Sequence, residues 1–316
     1  MSRAGRRALG VAGGLLLDRA LGEPPDAWHP VAWFGTAMGR VERETYADSR
    51  VAGTRYALAG VGLGALAGAM TGRAGAAGLA LAVGVASAGR MLRHTSRDIE
   101  DLLRAGDLAG ARERLPWLVG RDPSGLDGSG VAAAVVESLA ENTVDAVVAP
   151  TFWGLVVGAP GVLVHRAVNT MDAMVGHRSA RYAHFGTAAA RLDDVMAWVP
   201  ARLFAGLVAL DATAARLGGG HVLSTVRRDA PAHPSPNAGV AEAAVAGVLG
   251  VGLGGPLRYA GRREERPRLG EGPRPTPDDI ARARRLVDRV ETVLVAVCMA
   301  GWVLDTLVRH RRRNAA

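Results

Sequence analysis

Residues 56–72 have the sequence YALAGVGLGALAGAMTG and contain no charged side chain. After Arg73, residues 74–89 (AGAAGLALAVGVASAG) are uncharged as well. Each run is close to the roughly 17 residues that a helix needs to cross the hydrocarbon of a bilayer at about 1.5 Å per residue. Together the runs predict a helical hairpin in a membrane. A buried pair of Ala/Gly-rich helices in a soluble protein is the alternative.

Glycine recurs at every fourth position of the first run, at Gly60, Gly64, Gly68 and Gly72. On a helix these positions form one stripe that has no side chains. A neighbouring helix can therefore approach the backbone closely along that stripe.

Further apolar runs follow along the chain, and two shorter runs are too short to cross a bilayer without help. The long runs are 146–164, 195–210 and 290–308, and the short ones are 8–17 and 240–254. Pro150, Gly158, Pro160 and Gly161 interrupt the first long run, which is typical of a broken or re-entrant helix that lines a protein cavity. The predicted fold is an all-α, polytopic integral membrane helical bundle with broken or re-entrant helices, in which polar loops form the site.

The composition excludes several classes of protein. A chain of 316 residues with 49% hydrophobic residues and a mean hydropathy of +0.12 is too apolar to be disordered. Its single cysteine, Cys298, excludes intramolecular disulfides and cysteine zinc clusters. All 38 basic residues are arginine, so neither a Walker phosphate loop nor a Schiff-base lysine can be present. We ascribe the net charge of +8 mainly to this compositional bias and predict no nucleic-acid partner.

The predicted organisation is one membrane-embedded domain over residues 1–316. It includes a polar helical insert (93–130), an Arg/Pro/Gly-rich linker (258–278) and a C-terminal helix (279–312). Arginines occur at both ends of the chain, in MSRAGRR and RHRRR. Under the positive-inside rule they predict that both ends lie on the cytoplasmic side of a cell membrane. Five crossings would place the two ends on opposite sides, so either one long run does not cross or one short run does.

The first polar cluster is VVESLAENTVDAVVAP, residues 135–150. Glu137, Glu141 and Asp145 have helical spacing of four residues, which places three carboxylates on one face with Asn142 beside them. Because like charges at this spacing repel, the pattern favours neutralisation by a hard cation such as Mg²⁺. A solvated acidic stripe is the alternative.

The second cluster, residues 169–202, alternates acidic and basic side chains. Asn169 and Asp172 share a helical face. Donors suited to phosphate or carboxylate follow them. The polar members are His177, Arg178, Arg181, Tyr182, Arg191, Asp193, Asp194 and Arg202. An anionic substrate held partly through a metal would explain both signs of charge, and salt-bridged packing between helices would explain them as well.

Two further segments contain polar residues in proline-rich settings. In residues 227–239 (RRDAPAHPSPNAG) the prolines exclude a helix, so His233, Ser235 and Asn237 are predicted on a stiff loop that binds a ligand or turns a corner. In residues 15–35, Asp18, Glu23 and His29 flank a Pro-Pro turn. A lone histidine in such a setting is more often structural than a ligand.

These segments, taken in order, resemble the adenosylcobinamide-phosphate synthases, membrane proteins of cobalamin biosynthesis. The resemblance rests on six motifs: D-x-x-x-G-E-P-P-x-x-x-H-P-V (18–31), E-S-x-A-E-N-T-x-D (137–145), N-T-M-D-x-M-V-G-H (169–177), A-R-L-D-D (190–194), W-x-P-A-R (198–202) and H-P-S-P-N-A-G (233–239). The chain departs from the family pattern at Ala232, where relatives often have a basic residue, and at Val240-Ala241, where an aromatic-Pro pair is more familiar.

The resemblance implies an ATP-dependent acid–amine ligase. It would join the carboxylate of cobyric acid, as its adenosyl derivative, to (R)-1-amino-2-propanol or its O-phosphate, with Mg²⁺ as cofactor and ATP as co-substrate. A Mg²⁺-dependent membrane prenyl or phosphoalcohol transferase and a small-substrate permease are the alternatives.

Roles for individual residues follow as hypotheses. Catalytic residues would be Glu137, Glu141, Asp145 and His233. Substrate contacts would be His29, Asn142, Asn169, Arg178, Arg181, Arg191, Arg202, Ser235 and Asn237. Metal ligands would be Glu137, Glu141, Asp145, Asp172 and Asp194. All clusters are expected to open on one face of the membrane, the cytoplasmic face, and a homo-oligomer is left open.

Overall fold

The computed structural model describes residues 1–120, 122–177, 179–259 and 262–314. Its helices are α1 (Arg3–Leu21), α2 (Pro30–Thr45), α3 (Arg50–Gly72), α4 (Gly75–Ala86), α5 (Gly89–Arg104), α6 (Leu108–Arg114), α7 (Gly128–Thr143), α8 (Ala149–Val156), α9 (Ala159–Met171), α10 (Thr187–Ala214), α11 (Gly219–Asp229), α12 (Ala238–Leu249) and α13 (Pro277–Asn314). Two π-helical turns, Val144–Val148 and Asp172–Gly176, follow α7 and α9. The strands β1 (Leu253–Tyr259) and β2 (Arg262–Leu269) form an antiparallel hairpin.

The predicted all-α membrane fold is confirmed. In the part of the chain that the structure describes, three helical stretches are long and apolar enough to cross a membrane: Gly75–Arg104, Thr187–Ala214 and Pro277–Arg312. Many large apolar side chains on the helices are exposed, among them Leu66 and Met70 of α3, Leu203 of α10, and Leu304 of α13. Exposed apolar surface of this extent is typical of helices that face lipid.

The chain divides into two compact units, and each is assembled from segments that are distant in sequence. Unit 1 comprises residues 1–88, 145–197 and the chain from Thr292 onward, and unit 2 comprises residues 89–144 and 198–291. The expectation of a single domain stays a prediction.

The glycine stripe of α3 packs against α9 in unit 1. A Cβ atom added at Gly68 would lie 2.7 Å from the backbone nitrogen of Pro160, and one at Gly64 would lie 2.9 Å from the carbonyl oxygen of Leu163. Only glycine permits such an approach of backbone to backbone. The sequence therefore predicted the close contact correctly.

Helix α1 packs against α4 through two glycines of its own. A Cβ atom at Gly10 would lie 2.8 Å from the carbonyl oxygen of Ala76, and one at Gly14 would lie 2.7 Å from that of Ala80. Val11 and Leu15, each directly after one of these glycines, are fully buried in a core that also contains Val83. The apolar core of unit 1 thus depends on small residues at the helix contacts.

The chain reverses between α8 and α9, as the prolines and glycines predict. Gly158 lies between the helices with φ at 95°. A Cβ atom at Gly161 would lie 3.0 Å from the carbonyl oxygen of Trp153. A continuous helix would separate residues eight apart by about 12 Å, so the chain doubles back at Gly158.

Both ends of the chain lie at the same end of unit 1. The backbone N–H of Ser2 donates to Asp305 Oδ2 over 2.9 Å, which places the start of α1 beside the last turns of α13. The positive-inside rule predicts this arrangement, because both termini are rich in arginine.

Unit 2 contains the polar insert and the hairpin. Helices α5 and α6 occupy residues 89–114, which overlap the first part of the polar helical insert predicted over 93–130. Arg93 pairs with Glu291, and Arg284 Nη2 lies 2.6 Å from Glu100 Oε2, so α5 is joined to the first half of α13 by buried carboxylates. The C-terminal helix, predicted over 279–312, spans Pro277–Asn314.

Residues 258–278, expected to be an irregular linker, instead contain part of the β-hairpin. Leu253 and Leu269 pair at the open end of the hairpin, and both are fully buried. These two apolar residues anchor the hairpin, and β2 is otherwise largely charged, which is why composition alone did not indicate strands.

The glycine stripe yields a test. We expect Gly68→Ala to destabilise the protein by about 1 to 3 kcal/mol, because the added methyl group meets the backbone of Pro160. The matched control is Gly62→Ala, since a Cβ atom at Gly62 meets nothing within 4 Å. Thermal unfolding of the purified protein in detergent measures both. Equal melting temperatures for the two variants would contradict the α3–α9 contact.

Candidate functional site

The amide of Asn169 joins two carboxylates in unit 1. Its Nδ2 donates to Asp145 Oδ2 over 3.1 Å and to Asp193 Oδ1 over 3.4 Å. Arg166, one turn earlier on α9, donates from Nη1 to Asn169 Oδ1 over 3.3 Å. Segments far apart in sequence therefore meet at one side chain.

Three elements position these groups. Asp145 lies in the π-helical turn before α8, Asn169 in the last turn of α9, and Asp193 in the second turn of α10. Trp153 Nε1 donates to the carbonyl oxygen of Met196 over 3.1 Å, which fixes α8 against α10. Single π-helical turns are frequent at functional sites because they redirect side chains from the regular helical face.

Asp172 lies in the second π-helical turn, directly against the backbone of Gly176. Asp193 interacts electrostatically with Asp145, Asp172 and Asp194. Two carboxylates, those of Asp145 and Asp193, thus accept from the amide of Asn169, and those of Asp172 and Asp194 lie near Asp193. Among the residues described, no group of three or more His, Cys, Asp or Glu side chains is arranged to hold a metal ion.

The N-terminal motif approaches the same place. His29 is buried, its Nε2 lies 3.8 Å from Glu23 Oε1, and its Nδ1 accepts from the N–H of Val31, so that it caps α2. Arg166 interacts electrostatically with both Glu23 and Asp145. Arg166 therefore lies between the N-terminal motif and the carboxylates.

Arg181 has close partners on its own side of unit 1. Its Nη2 lies 3.1 Å from Glu42 Oε1, and its guanidinium carbon lies 4.2 Å from the centre of the Tyr46 ring. Hydrogen bonds to Glu42 and Tyr182 raise the pKa of Arg181. Burial, and then the hydrogen bond to Glu42, raises the pKa of the Tyr182 hydroxyl.

The remaining predicted residues of this region have different surroundings. The ring of His177 packs edge-on against Tyr182 at 5.0 Å. Arg191 is exposed, and Asp194 is partly exposed. Arg178 lies outside the described residues.

The acidic helix α7 contributes to unit 2. Glu137 is buried, and its Oε1 accepts from the backbone N–H of Gly254 over 2.8 Å. Asn142 Nδ2 donates to the hydroxyl of Ser138 over 2.9 Å, and Glu141 is exposed. Asp145 belongs to unit 1 and lies in the π-helical turn that follows α7. The regular helical spacing of Glu137 and Glu141 therefore does not extend to Asp145.

His233 is buried in a polar network of unit 2. Its Nε2 lies 3.0 Å from Arg266 Nη1 and 3.9 Å from Glu242 Oε2. Because a guanidinium only donates, Nε2 of His233 accepts from Arg266 in this contact. Nδ1 lies 3.1 Å from both the backbone nitrogen and the carbonyl oxygen of Ser235.

The H-P-S-P-N loop is held at the start of α12. The hydroxyl of Ser235 accepts from the N–H groups of Asn237 and Ala238, which caps the helix. Arg202 Nη1 donates to Asn237 Oδ1 over 2.7 Å, and its guanidinium lies over the ring of Trp198. The motif residues of α10 and of the loop are therefore in direct contact within unit 2.

Sequence reasoning missed several residues of these networks, among them Arg166, Glu242 and Arg266, and assigned no role to Asp193. Arg166 has helical spacing from Asn169, and Glu242 is a lone acid in an apolar run, so both gave a usable signal. Arg266 gave none, because its segment has the composition of a linker.

Similarity to known proteins extends along almost the whole chain. Residues 11–287 match the model of a protein family described as CobD/Cbib protein. Proteins named cobalamin biosynthesis protein CobD are similar to this chain. One from Mycobacterium tuberculosis is 46% identical over 313 residues, 97% of each chain, and one from Chromobacterium violaceum is 44% identical over 306 residues, 92% of this chain and 95% of the relative. No solved structure matches the chain.

The Arg181 contact yields a prediction. We expect the double variant Arg181→Gln/Glu42→Gln to lower the melting temperature by less than the sum of the two single variants, because each single variant already removes the contact between the two side chains. Arg191→Gln, which removes an exposed arginine of the same region, is the control. Additive effects of the two single variants would show that Arg181 and Glu42 act independently.

Proposed function

The chain belongs to the CobD/Cbib family of cobalamin biosynthesis proteins, and we propose that it forms an amide bond on a corrinoid. The acid is the carboxylate of adenosylated cobyric acid, and the amine is (R)-1-amino-2-propanol or its O-phosphate. The proposal makes the chain an ATP-dependent acid–amine ligase in the cell membrane.

The observation that supports the proposal most is the meeting of Asp145, Asn169 and Asp193 in unit 1. Side chains from three separate motifs are held by one amide next to a cation, Arg166. Partly buried carboxylates in an apolar protein are costly unless a partner compensates for their charge. A nucleotide that arrives with Mg²⁺ supplies such a partner.

The chemistry requires an activated acyl group. A carboxylate oxygen of cobyric acid attacks the γ-phosphorus of ATP, ADP leaves, and an acyl phosphate forms. The amine nitrogen then attacks the acyl carbon, inorganic phosphate leaves, and the amine gives up a proton to a base. Positioning and electrostatic stabilisation supply most of the acceleration in such transfers.

The carboxylates of unit 1 suit a magnesium ion that is shared with the substrate. Mg²⁺ usually takes one or two protein carboxylates together with waters and substrate phosphates, rather than a cage of protein ligands. Asp145 and Asp193, which share the amide of Asn169, would hold it, and Asp172 and Asp194 lie near them. When bound, the ion would neutralise charge on the nucleotide phosphates.

Chain residues would handle the remaining groups. Arg166 would contact a phosphate or carboxylate, because its guanidinium donates to Asn169 and interacts electrostatically with Glu23 and Asp145. In unit 2, His233 and Asn237 hold Arg266 and Arg202, so their role would be to position these two arginines. Glu137 would fix the start of the hairpin through Gly254.

Amide formation by variants tests the proposal. Membranes containing the chain are supplied with cobyric acid, the amino alcohol phosphate, ATP and Mg²⁺, and the corrinoid product is measured by mass spectrometry. We expect Asp193→Asn and Asp145→Asn each to lower the rate at least about 100-fold, because each deletes a charge that acts on the transferring group.

Asp101→Asn is the control, since it removes one exposed carboxylate from α5. Wild-type rates for Asp145→Asn and Asp193→Asn would place the reaction elsewhere. Absence of a corrinoid product from the wild-type chain under these conditions would contradict the proposed reaction itself.

A further inference from the structure

A cavity of about 180 Å³ opens at the end of unit 1 where both chain termini lie. Three arginines of the first turns of α1 line it, together with the turn between α3 and α4 and the turn between α8 and α9. Among its lining residues are Arg3, Arg6, Arg7, Gly75, Ala159 and Pro160. No carboxylate of the described residues lines the cavity, so it is electropositive.

Three helices begin at this cavity. Arg3, Gly75 and Ala159 are the first residues of α1, α4 and α9, and all three line it. Neither α4 nor α9 has a side-chain cap at its N-terminus. The N–H groups of their first turns, which at α9 do not include Pro160, and the positive ends of their dipoles therefore add to the charge of the arginines.

The three arginines have different tasks. Arg7 donates to the carbonyl oxygens at the end of α8, including that of Leu155 over 3.1 Å, and so closes one wall of the cavity. Arg6 donates to the carbonyl oxygen of Met1, and Arg3 lies close enough to Arg7 to repel it. The nearby carboxylate, Asp305, already accepts from Ser2 and pairs with Arg309. An anion in the cavity would relieve the repulsion between the arginines.

The surroundings indicate which anion fits. Leu79 and Pro160 make part of the wall apolar, and Val157, also in the wall, is 40% exposed. Met70, in the last turn of α3, is 57% exposed. Charged and apolar surface thus meet where the apolar helices end, which is the position of lipid headgroups.

We propose that this cavity binds the phosphate headgroup of an anionic membrane phospholipid. Arg3 and Arg6 supply the charge, the N-termini of α4 and α9 supply N–H donors, and the acyl chains lie outside against the exposed apolar side chains. The site is separate from the Asn169 cluster and does not depend on the proposed reaction.

The test uses the full chain with phosphatidylglycerol and phosphatidylcholine as probes. The protein is purified in detergent, stripped of lipid, and equilibrated with mixed vesicles that contain equal amounts of the two lipids, and the retained lipid is identified by native mass spectrometry. We expect enrichment of phosphatidylglycerol in the wild type and a loss of about tenfold or more in Arg3→Gln/Arg6→Gln. High salt should weaken binding in the same way.

Two controls separate charge at this site from charge in general. Arg50→Gln/Arg55→Gln removes two exposed arginines from α3 and should retain the lipid. Arg3→Lys/Arg6→Lys keeps the charge and should retain most of it. If the double glutamine variant does not fold, the single variants Arg3→Gln and Arg6→Gln are measured, since both side chains are exposed.

Several results would overturn the proposal. One is equal retention of lipid by Arg3→Gln/Arg6→Gln and Arg50→Gln/Arg55→Gln, whether high or low. Another is no preference for phosphatidylglycerol in the wild type. A second arm adds inorganic phosphate in large excess. If phosphate displaces the lipid and stabilises the protein without any lipid, the cavity is a site for free phosphate instead.

Discussion

The contact between the backbones of α3 and α9 is the constraint on which the rest of unit 1 depends. Gly64 and Gly68 admit the backbone of α9 at distances that no other residue allows. In a membrane, where lipid removes most of the hydrophobic drive for helices to associate, such close packing is a main source of stability. It also fixes α9 along its axis. The last two turns of this helix carry Arg166 and Asn169, so the same contact places both side chains.

The polar cluster is built by departures from regular helix. Asp145 and Asp172 both lie in π-helical turns, and the chain reverses between them at Gly158. Each departure brings a polar side chain to α10 that a straight apolar helix would have directed elsewhere. Unpartnered carboxylates would be expensive in such surroundings. The amide of Asn169 compensates in part, since it donates to Asp145 and Asp193 together.

Apolar patterning and glycine spacing predicted much of the fold. The helical class, the bare stripe of α3, the broken helix at Gly158 and the helical insert before α7 all follow from local composition. The β-hairpin did not, because the apolar residues Leu253 and Leu269 that anchor it lie far apart in sequence and β2 is largely charged. For the site, the motifs identified Asp145 and Asn169. The meeting with Asp193 depends on how α8, α9 and α10 pack, and no spacing in the sequence encodes that.

The proposed function requires substrate phosphate and magnesium to bind at the Asn169 cluster. An experimental structure of the chain in lipid nanodiscs with cobyric acid, Mg²⁺ and a non-hydrolysable ATP analogue tests this directly. We expect density for the ion and a phosphate within hydrogen-bond or coordination distance of Asp145 or Asp193. Substrate density elsewhere, with Asp145, Asn169 and Asp193 bonded only to one another, would contradict it.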